Sequence, residues 1–566
     1  MIKKKIPYLL IFALLVGAFL RFFQLSSLPI ALFGDEVDVG YHAWSLITTG
    51  RDYMGNLLPA YIRSLNEYRA PLLMYVSAPF LGLLGPTVLA VRLAPALFGL
   101  LGIYFIYLLT NQLTSKRLVL GRFSVSLGEV AALLLAITPW HIQYSRTAFE
   151  VTLLLSLLLA GTYFFLRGLK KSSFLIWSAV CFSLTFYTYS TANLFTPSLL
   201  LLLFLLYRPQ LTWSRLKWPL ITGFLLCLPI GYHLFFGQAA GRFGLISIFN
   251  DSTITDSVVL SRNETWLTSP FWERFFHNKV TAHLQVFISQ YLTFFSPQFL
   301  FISGDPIFRH SINNFGMLLL FSLPFLILGL FSLWRQRSQK FSRFLLGWFL
   351  LAPIGSALTQ GGGDHATRLI LILPVLTTIS AFGLLSFFSL FKDGLVKKLL
   401  PLLLGFLLFL NLAAYWYDYS AHYRYQSARH WHYGYQQIFT DLQPYLHQPN
   451  HIYINNTYEP SLLRFAFFAG LNPAEFQSLF VNDLPDQVVN DYFTGFSLGD
   501  RYHFGHIDTY EHLTDMLQPG DVYLAVQGEE IPGDWDWAQS PPEGIDVISS
   551  LSDLSGQPLF YLLSSL

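Results

Sequence analysis

The sequence predicts an α-helical polytopic membrane protein of about eleven transmembrane helices, followed by a small extracytoplasmic α/β domain. Three observations predict this. Hydrophobic residues make up 53% of the 566 residues and charged residues only 12%, about half the roughly 25% of an ordinary soluble domain. Apolar runs long enough to cross a hydrocarbon core of roughly 30 Å recur from the start of the chain to about residue 417. Basic clusters alternate with those runs, so the positive-inside rule can orient them.

The elements follow in order. Lys3, Lys4 and Lys5 precede the first apolar run, which ends at Arg21-Phe22-Phe23-Gln24 with no small-residue cleavage site. It reads as an uncleaved first helix with a cytoplasmic start. Basic clusters at 116–122, 167–171, 208–217, 335–343 and 392–398 read as cytoplasmic. The spans then fall near 6–25, 88–110, 125–140, 148–166, 173–188, 193–207, 218–236, 316–334, 343–360, 369–391 and 398–417. The apolar stretch 71–84 is only about 14 residues, or roughly 21 Å of helix, and Pro86 follows it. Counting it as a span would put 116–122 outside and reverse every later loop, so it reads as an interfacial or re-entrant helix.

This orientation leaves 26–87, 141–147, 189–192, 237–315, 361–368 and the chain after about 418 on the outer side of a cell (plasma or inner) membrane. Between Trp272 and Phe295 the apolar residues fall at helical spacing, which predicts an amphipathic helix on the membrane surface. In the tail, 451–454 and 521–526 read as strands and 460–470 as a helix. The predicted domains are therefore 1–420, within the membrane, and 421–566, outside it. Inverted-repeat symmetry of the transporter kind is not visible. The net charge of +2 gives no footing for nucleic acid, and Cys181 and Cys227 both lie in apolar runs, which argues against a disulfide or thiolate-metal framework.

Five polar groups fall on the predicted outer face. The first is Gly34-Asp35-Glu36-Val37-Asp38, opening a juxtamembrane helix whose face carries Val37, Tyr41, Trp44 and Thr48. Asp35 suits a helix N-cap, yet three acids in four residues at a membrane edge exceed what a cap needs. The second is Asn66-Glu67-Tyr68-Arg69-Ala70-Pro71-Leu72, where a Glu67–Arg69 surface pair is the plain alternative. The third holds His141 and Arg146, with Trp140 and Tyr144 as candidate interfacial anchors. The fourth is Gly361-Gly362-Gly363-Asp364-His365-Ala366-Thr367-Arg368, and the fifth contains Asp305, Arg309 and His310. Acids beside Arg and His at a membrane surface suit one reaction class: a carboxylate accepts a proton from a hydroxyl or amine, and cations neutralise a departing phosphate.

At these motifs the sequence resembles the C-type membrane glycosyltransferases, in the bacterial branch related to protein O-mannosyltransferases and the aminoarabinose transferases of lipid A. The residues that carry the resemblance are Gly34-Asp35-Glu36 with Tyr41, Glu67-Tyr68-Arg69-Ala70-Pro71-Leu72, Pro139-Trp140-His141 with Ser145-Arg146, Phe186-Tyr187-Thr188-Tyr189-Ser190, Phe294-Phe295-Ser296-Pro297 with Gly304-Asp305 and Arg309-His310, and His365-Ala366-Thr367-Arg368. It covers roughly 1–420. The resemblance implies transfer of a sugar from a polyprenyl-phosphate donor to a lipid, glycan or protein acceptor, by inverting single displacement with Asp35 as base and Glu36 beside it. Donor-phosphate or substrate contacts would come from Glu67, Arg69, His141, Arg146, Arg309, His310, His365 and Arg368. It implies no certain cofactor, with Glu67 the candidate ligand for a divalent metal. Its relatives carry Lys-Pro-Pro or His-Pro-Pro where this chain has Arg69-Ala70-Pro71. Two other classes stay open at this point: a lipid-linked sugar transporter or flippase, which needs polar residues along its spans, and a non-catalytic membrane assembly protein.

Overall fold

A computed structural model describes residues 6–65, 68–120, 123–237, 244, 246–264, 270–391, 394–448, 450–480, 487–531 and 535–566. The lysines at 3–5 and the pair Asn66 and Glu67 lie outside the described residues. Each predicted span contains helix, but 125–140 and 343–360 are each divided between two helices and 316–334 is helical only from Leu320. Among the described residues, five helical stretches are long and apolar enough to cross a membrane: Val88–Leu113, Val151–Gly168, Ala192–Gln210, Ala366–Phe388 and Leu395–Ala421. Shorter apolar helices include α1 (Tyr8–Phe22) and Leu127–Ala136. The predicted interfacial stretch forms the helix Leu72–Leu84, whose 13 residues reach only about 20 Å.

Burial separates the helices that face lipid from those that face protein. The apolar window of Ala366–Phe388 is 89% buried, whereas that of Leu395–Ala421 is 6% buried. The second helix exposes Leu399, Leu402, Leu403, Phe406 and Phe409. A contiguous exposed apolar face of this kind is unfavourable in water and suited to a bilayer. The chain is a polytopic membrane protein.

The chain forms two compact units that do not follow the border near 420. One contains 1–23, 60–73 and 95–420; the other contains 24–59, 74–94 and 421–566. The division passes through the helix Val88–Leu113 at its internal Pro95. The second unit holds a seven-stranded mixed sheet in the order Ile545–Ser552, Pro558–Ser565, Val522–Val526, Ile452–Asn455, Tyr502–Ile507, Phe493–Leu498, Gln487–Asn490. Ile452–Asn455 pairs in parallel with both neighbours and is buried along its whole length. A continuous apolar run is what a strand covered on both faces requires.

Helix α2 (Gly34–Thr49) belongs to this second unit. Its Tyr41 face packs on the tail. Tyr41 donates to the Leu471 carbonyl at 2.9 Å and sits edge-on to Phe476. The Gln477 amide reaches Ser45, Thr49 and the Asp52 carbonyl. A Cβ at Gly40 would stand 2.8 Å from both Phe467 and Val91, so only glycine lets these elements approach so closely.

The predicted helix from Trp272 to Phe295 is two helices, Pro270–Phe276 and Lys279–Thr293. The Asn278 side chain accepts from the N–H groups of Val280 and Thr281, and Thr281 returns a bond to the Asn278 N–H. That capping box starts a new helix inside an unbroken apolar period.

Candidate functional site

The acids at the start of α2 separate into two roles. The N-cap position is Phe33, not Asp35. Glu36 closes the first turn by accepting the Phe33 N–H at 3.2 Å. It is fully buried and receives Arg92 Nε and Nη2, both at 3.0 Å. Arg92 also donates to the carbonyls of Leu25, Pro29 and Ala31. This bidentate pair engages all the guanidinium's donor groups and holds the turn in place. Asp35, next to it, is half-buried. A Cβ at Gly34 would lie 3.0 Å from Arg464 Nη2, so the glycine admits that guanidinium to the acidic turn. Arg464 also meets His432 at 2.6 Å and Glu459 at 3.6 Å. Burial lowers its pKa from the usual guanidinium value.

In the other unit the fourth and fifth polar groups come together. Asp305 Oδ1 accepts the Ile307 N–H at 2.8 Å. Its Oδ2 accepts the Ala366 N–H at 2.7 Å and lies 2.9 Å from His310 Nδ1. The His310 and His365 rings are 5.0 Å apart. Burial works against the Asp305 carboxylate, but the His310 bond and the two backbone N–H groups hold its pKa below the ordinary value. Burial, then the neighbouring Arg368 and His310 charges, push His365 down to about 3, leaving a neutral imidazole. Burial and the Asp305 charge raise Asp364.

Arg368 extends from the same segment to a largely apolar cavity of about 350 Å³. Tyr189 and Ser190, from the Phe186–Ser190 motif, line it together with Asn193, Leu194, Leu234 and Leu358. One Arg368 Nη donates to Thr359 Oγ1 and to the Gln360 carbonyl, both at 2.8 Å. Its buried Nε has no hydrogen-bond partner among the described residues. An apolar chamber with an unsatisfied guanidinium donor suits a lipid chain carrying an anionic head.

Other predicted contacts are engaged in the fold. Arg146 is fully buried and donates to the carbonyls of Leu20 and Phe23, both at 2.8 Å, capping the C-terminal end of α1. Its guanidinium lies 5.6 Å from the ring centroids of Trp416 and Tyr419. His141 is also fully buried and meets Arg21 at 2.6 Å. Trp140 and Tyr144, read as interfacial anchors, have no exposed surface. These four correct the loop reading: the segment forms the buried helix Pro139–Ser145. Arg69 is nearly buried in a two-residue ladder opposite Ile62. The Arg309 carbonyl accepts from Gln143 at 2.7 Å. Glu67, the candidate metal ligand, lies outside the described residues.

Arg92, Arg464 and Thr359 were not singled out from the sequence. Arg92 did carry a signal, being a lone arginine inside an apolar span, where an ionisable group requires a partner. Arg464 and Thr359 carried none.

Comparison with known proteins agrees with this architecture. Residues 68–234 match the family model for dolichyl-phosphate-mannose-protein mannosyltransferase. ArnT from Cupriavidus metallidurans in the apo state is 13% identical, with 98% of this chain and 97% of that one covered and a TM-score of 0.52. The same protein bound to undecaprenyl phosphate gives 0.50 at the same identity and coverage. The archaeal oligosaccharyltransferase AglB from Archaeoglobus fulgidus, in complex with an inhibitory peptide and a dolichol-phosphate, is 14% identical with a TM-score of 0.48. There the match covers 82% of this chain and spans 63% of AglB. No curated protein matches the sequence. The fold is that of the C-type membrane glycosyltransferases. The family-model match is confined to 68–234, and the likeness to ArnT, which runs over nearly the whole chain, is one of fold.

Proposed function

We propose that this protein transfers a sugar from a polyprenyl-phosphate donor to an acceptor on the extracytoplasmic side of the cell membrane. The observation that carries the reading is the apolar cavity with Arg368 in its lining. A long isoprenoid needs an apolar chamber, and its phosphate needs a cation. Undecaprenyl phosphate in ArnT and dolichol-phosphate in AglB support a ligand of this chemistry.

Asp35 is the proposed base. A hydroxyl acceptor is a poor nucleophile at neutral pH and must lose its proton as the new bond forms. Polyprenyl phosphate leaves readily, so one carboxylate suffices for a single displacement with inversion. Glu36 is fully buried against Arg92, whereas Asp35, beside it in the first turn of α2, is half-buried, which supports placing the base there. A flippase reading is weakened because the buried ionisable residues Arg21, Arg92 and Arg146 are each bonded to backbone carbonyls or a carboxylate within the fold. The test is comparative mass spectrometry of glycolipids, glycans and proteins from wild-type and deletion strains, followed by transfer with purified protein and the implicated donor. One lost glycoconjugate, restored by wild-type protein, is expected. An unchanged glycoconjugate profile together with donor flipping in vesicles would overturn the proposal in favour of a transporter.

A further inference from the structure

The helical stretch Ala366–Phe388 carries Arg368 near its start, and at about 1.5 Å per residue its last turn stands roughly 30 Å away, the thickness of a hydrocarbon core. At that far end lies a second cavity, of about 640 Å³. Lys116, Arg117 and Arg335 line it, with no aspartate or glutamate among its described lining residues. Lys116 is half-buried; its ammonium lies 4.0 Å from the Phe382 ring centroid and donates to Gln336 Oε1 at 3.1 Å. Burial lowers its pKa, a cost that an anion beside it would offset. Arg117 donates to the Ser124 side chain and carbonyl across the short ladder of 117–120 with 123–126. Arg335 ends the helix Leu323–Arg335. Among the described residues none of the three cations makes an ion pair. The helices ending at Leu113, Arg335 and Phe388 bring their C-termini to this end. Each terminus carries about half a negative charge, which three full cations exceed. Leu328 and Phe331 form an apolar wall. Phe331 shares an exposed helical stripe with Ile327 and Trp334, as a lipid-facing surface does. The wall is firmly seated: a Cβ at Gly383 would stand 1.8 Å from the Phe325 carbonyl oxygen, so the backbones of the two helices meet at this glycine.

We propose that this cavity binds an anionic glycerophospholipid, with its phosphate on Lys116, Arg117 and Arg335 and its acyl chains along Leu328, Phe331 and the exposed stripe. Basic pockets between membrane helices take anionic head groups in this way. A free phosphate would use the cations and leave the apolar wall without a role. On the positive-inside reading of the sequence the leaflet is the cytoplasmic one, where anionic lipids set a negative surface potential. The site stands a membrane's thickness from the Arg368 cavity, so the inference does not rest on the donor reading. Lys116 and Gln336 are 220 residues apart. One bound phosphate therefore ties the segment at 116–117 to the end of the helix Leu323–Arg335 and steadies the bundle where its charges repel.

The test uses full-length protein, delipidated in a neutral detergent and titrated with phosphatidylglycerol, phosphatidylcholine or glycerol phosphate. Bound lipid by native mass spectrometry and the thermal midpoint are the readouts. Wild type is expected to hold phosphatidylglycerol more tightly than phosphatidylcholine, with a rise in midpoint that glycerol phosphate does not reproduce. A basic residue at an anionic lipid surface is worth about fivefold in affinity. The double variant Arg117→Gln/Arg335→Gln, at two exposed positions, should therefore bind phosphatidylglycerol roughly thirtyfold more weakly. Arg167→Gln/Lys170→Gln removes the same charge from exposed positions outside the cavity and should bind as wild type does. Arg368→Ala should also bind as wild type. Equal binding of phosphatidylcholine, or an equal loss in both double variants, overturns the site in favour of unselective or diffuse attraction. A midpoint rise with glycerol phosphate as large as with the lipid overturns the lipid assignment. Loss of phosphatidylglycerol in Arg368→Ala alone moves the lipid to the other cavity and overturns the proposal as well.

Discussion

Glu36 and Asp305 are both buried carboxylates at the opening of short structural segments, one in each compact unit, yet their surroundings differ in kind. Around Glu36 the accounts close: Arg92 supplies two parallel bonds, and its remaining donors reach three carbonyls. Around Asp305 the carboxylate is satisfied, but His365 Nδ1 and, three residues on, Arg368 Nε have no hydrogen-bond partner among the described residues. A saturated buried charge belongs to architecture. The second neighbourhood keeps hydrogen-bonding capacity in reserve, and the cavity that Arg368 lines is what suits it to a ligand. The acids themselves look alike in a sequence, so partners, not residue type, tell the two apart.

Four experiments break or sharpen that contrast. The largest effect is expected beside the saturated pair rather than in it. Asp35→Asn should fold and bind donor yet lose turnover by roughly 10²–10⁴-fold, the scale of general-base loss. Transfer rate and donor affinity on the purified variant check this, and a near-wild-type rate would return Asp35 to a purely structural place. Next comes Arg92→Leu, which strands a buried carboxylate. It should cost about 3–5 kcal/mol, read as loss of folded yield, whereas kcat in any folded fraction should change little. A variant that expresses normally and is catalytically dead would reverse the roles assigned to Glu36 and Asp35.

A smaller effect is expected at the unsaturated site. Arg368→Ala should raise the KM for donor by roughly tenfold or more, as befits one charge-assisted contact. Arg368→Lys should recover only part, because the fork geometry is lost. Donor kinetics indistinguishable from wild type would remove Arg368 from the phosphate site. The smallest effect concerns Glu530, which shares a hydrogen bond with Tyr523 in the second unit. Burial raises its carboxyl from 4.5 to about 8 against the opposing bonds of Asn455 and two backbone N–H groups. The unfolded chain releases this proton from about pH 4.5 while the folded one keeps it, so stability falls as pH rises through that window to about 8 and is level beyond it. Glu530→Gln should raise the thermal midpoint above pH 8 by a few degrees, about 1 kcal/mol in a unit of this size, and leave it unchanged at pH 4. An equal shift at both pH values would assign the gain to packing.

Much of the helical framework was legible because membrane helices declare themselves by apolar length. The strands Ile452–Asn455 and Val522–Val526 and the helix Leu462–Phe468 also stood near their expected places. What sequence could not show was pairing over distance. Glu36 and Arg92 are 56 residues apart, and nothing local distinguishes that acid from Asp35. The groups around Asp305 and His365 were both visible, 60 residues apart, but their meeting depends on how the loop and helix ends return to each other. The loop at 139–146 misled for a physical reason: Trp, His, Tyr and Arg are the composition of a membrane interface and equally of a buried cap on a helix end. The break at Asn278 hid because the apolar period runs through it.

The packing of α2 has a consequence for how the protein is made. Tyr41 and its acceptor Leu471 are 430 residues apart. At about 5–20 residues per second of synthesis, the helix waits roughly 20–90 s for its partner to exist. During that interval the acidic turn is already outside the ribosome while the surface that will hold it is still messenger. A nascent chain stalled anywhere before residue 471 therefore has its proposed base without the seat for it, and the protein's competence begins only with about the last sixth of translation.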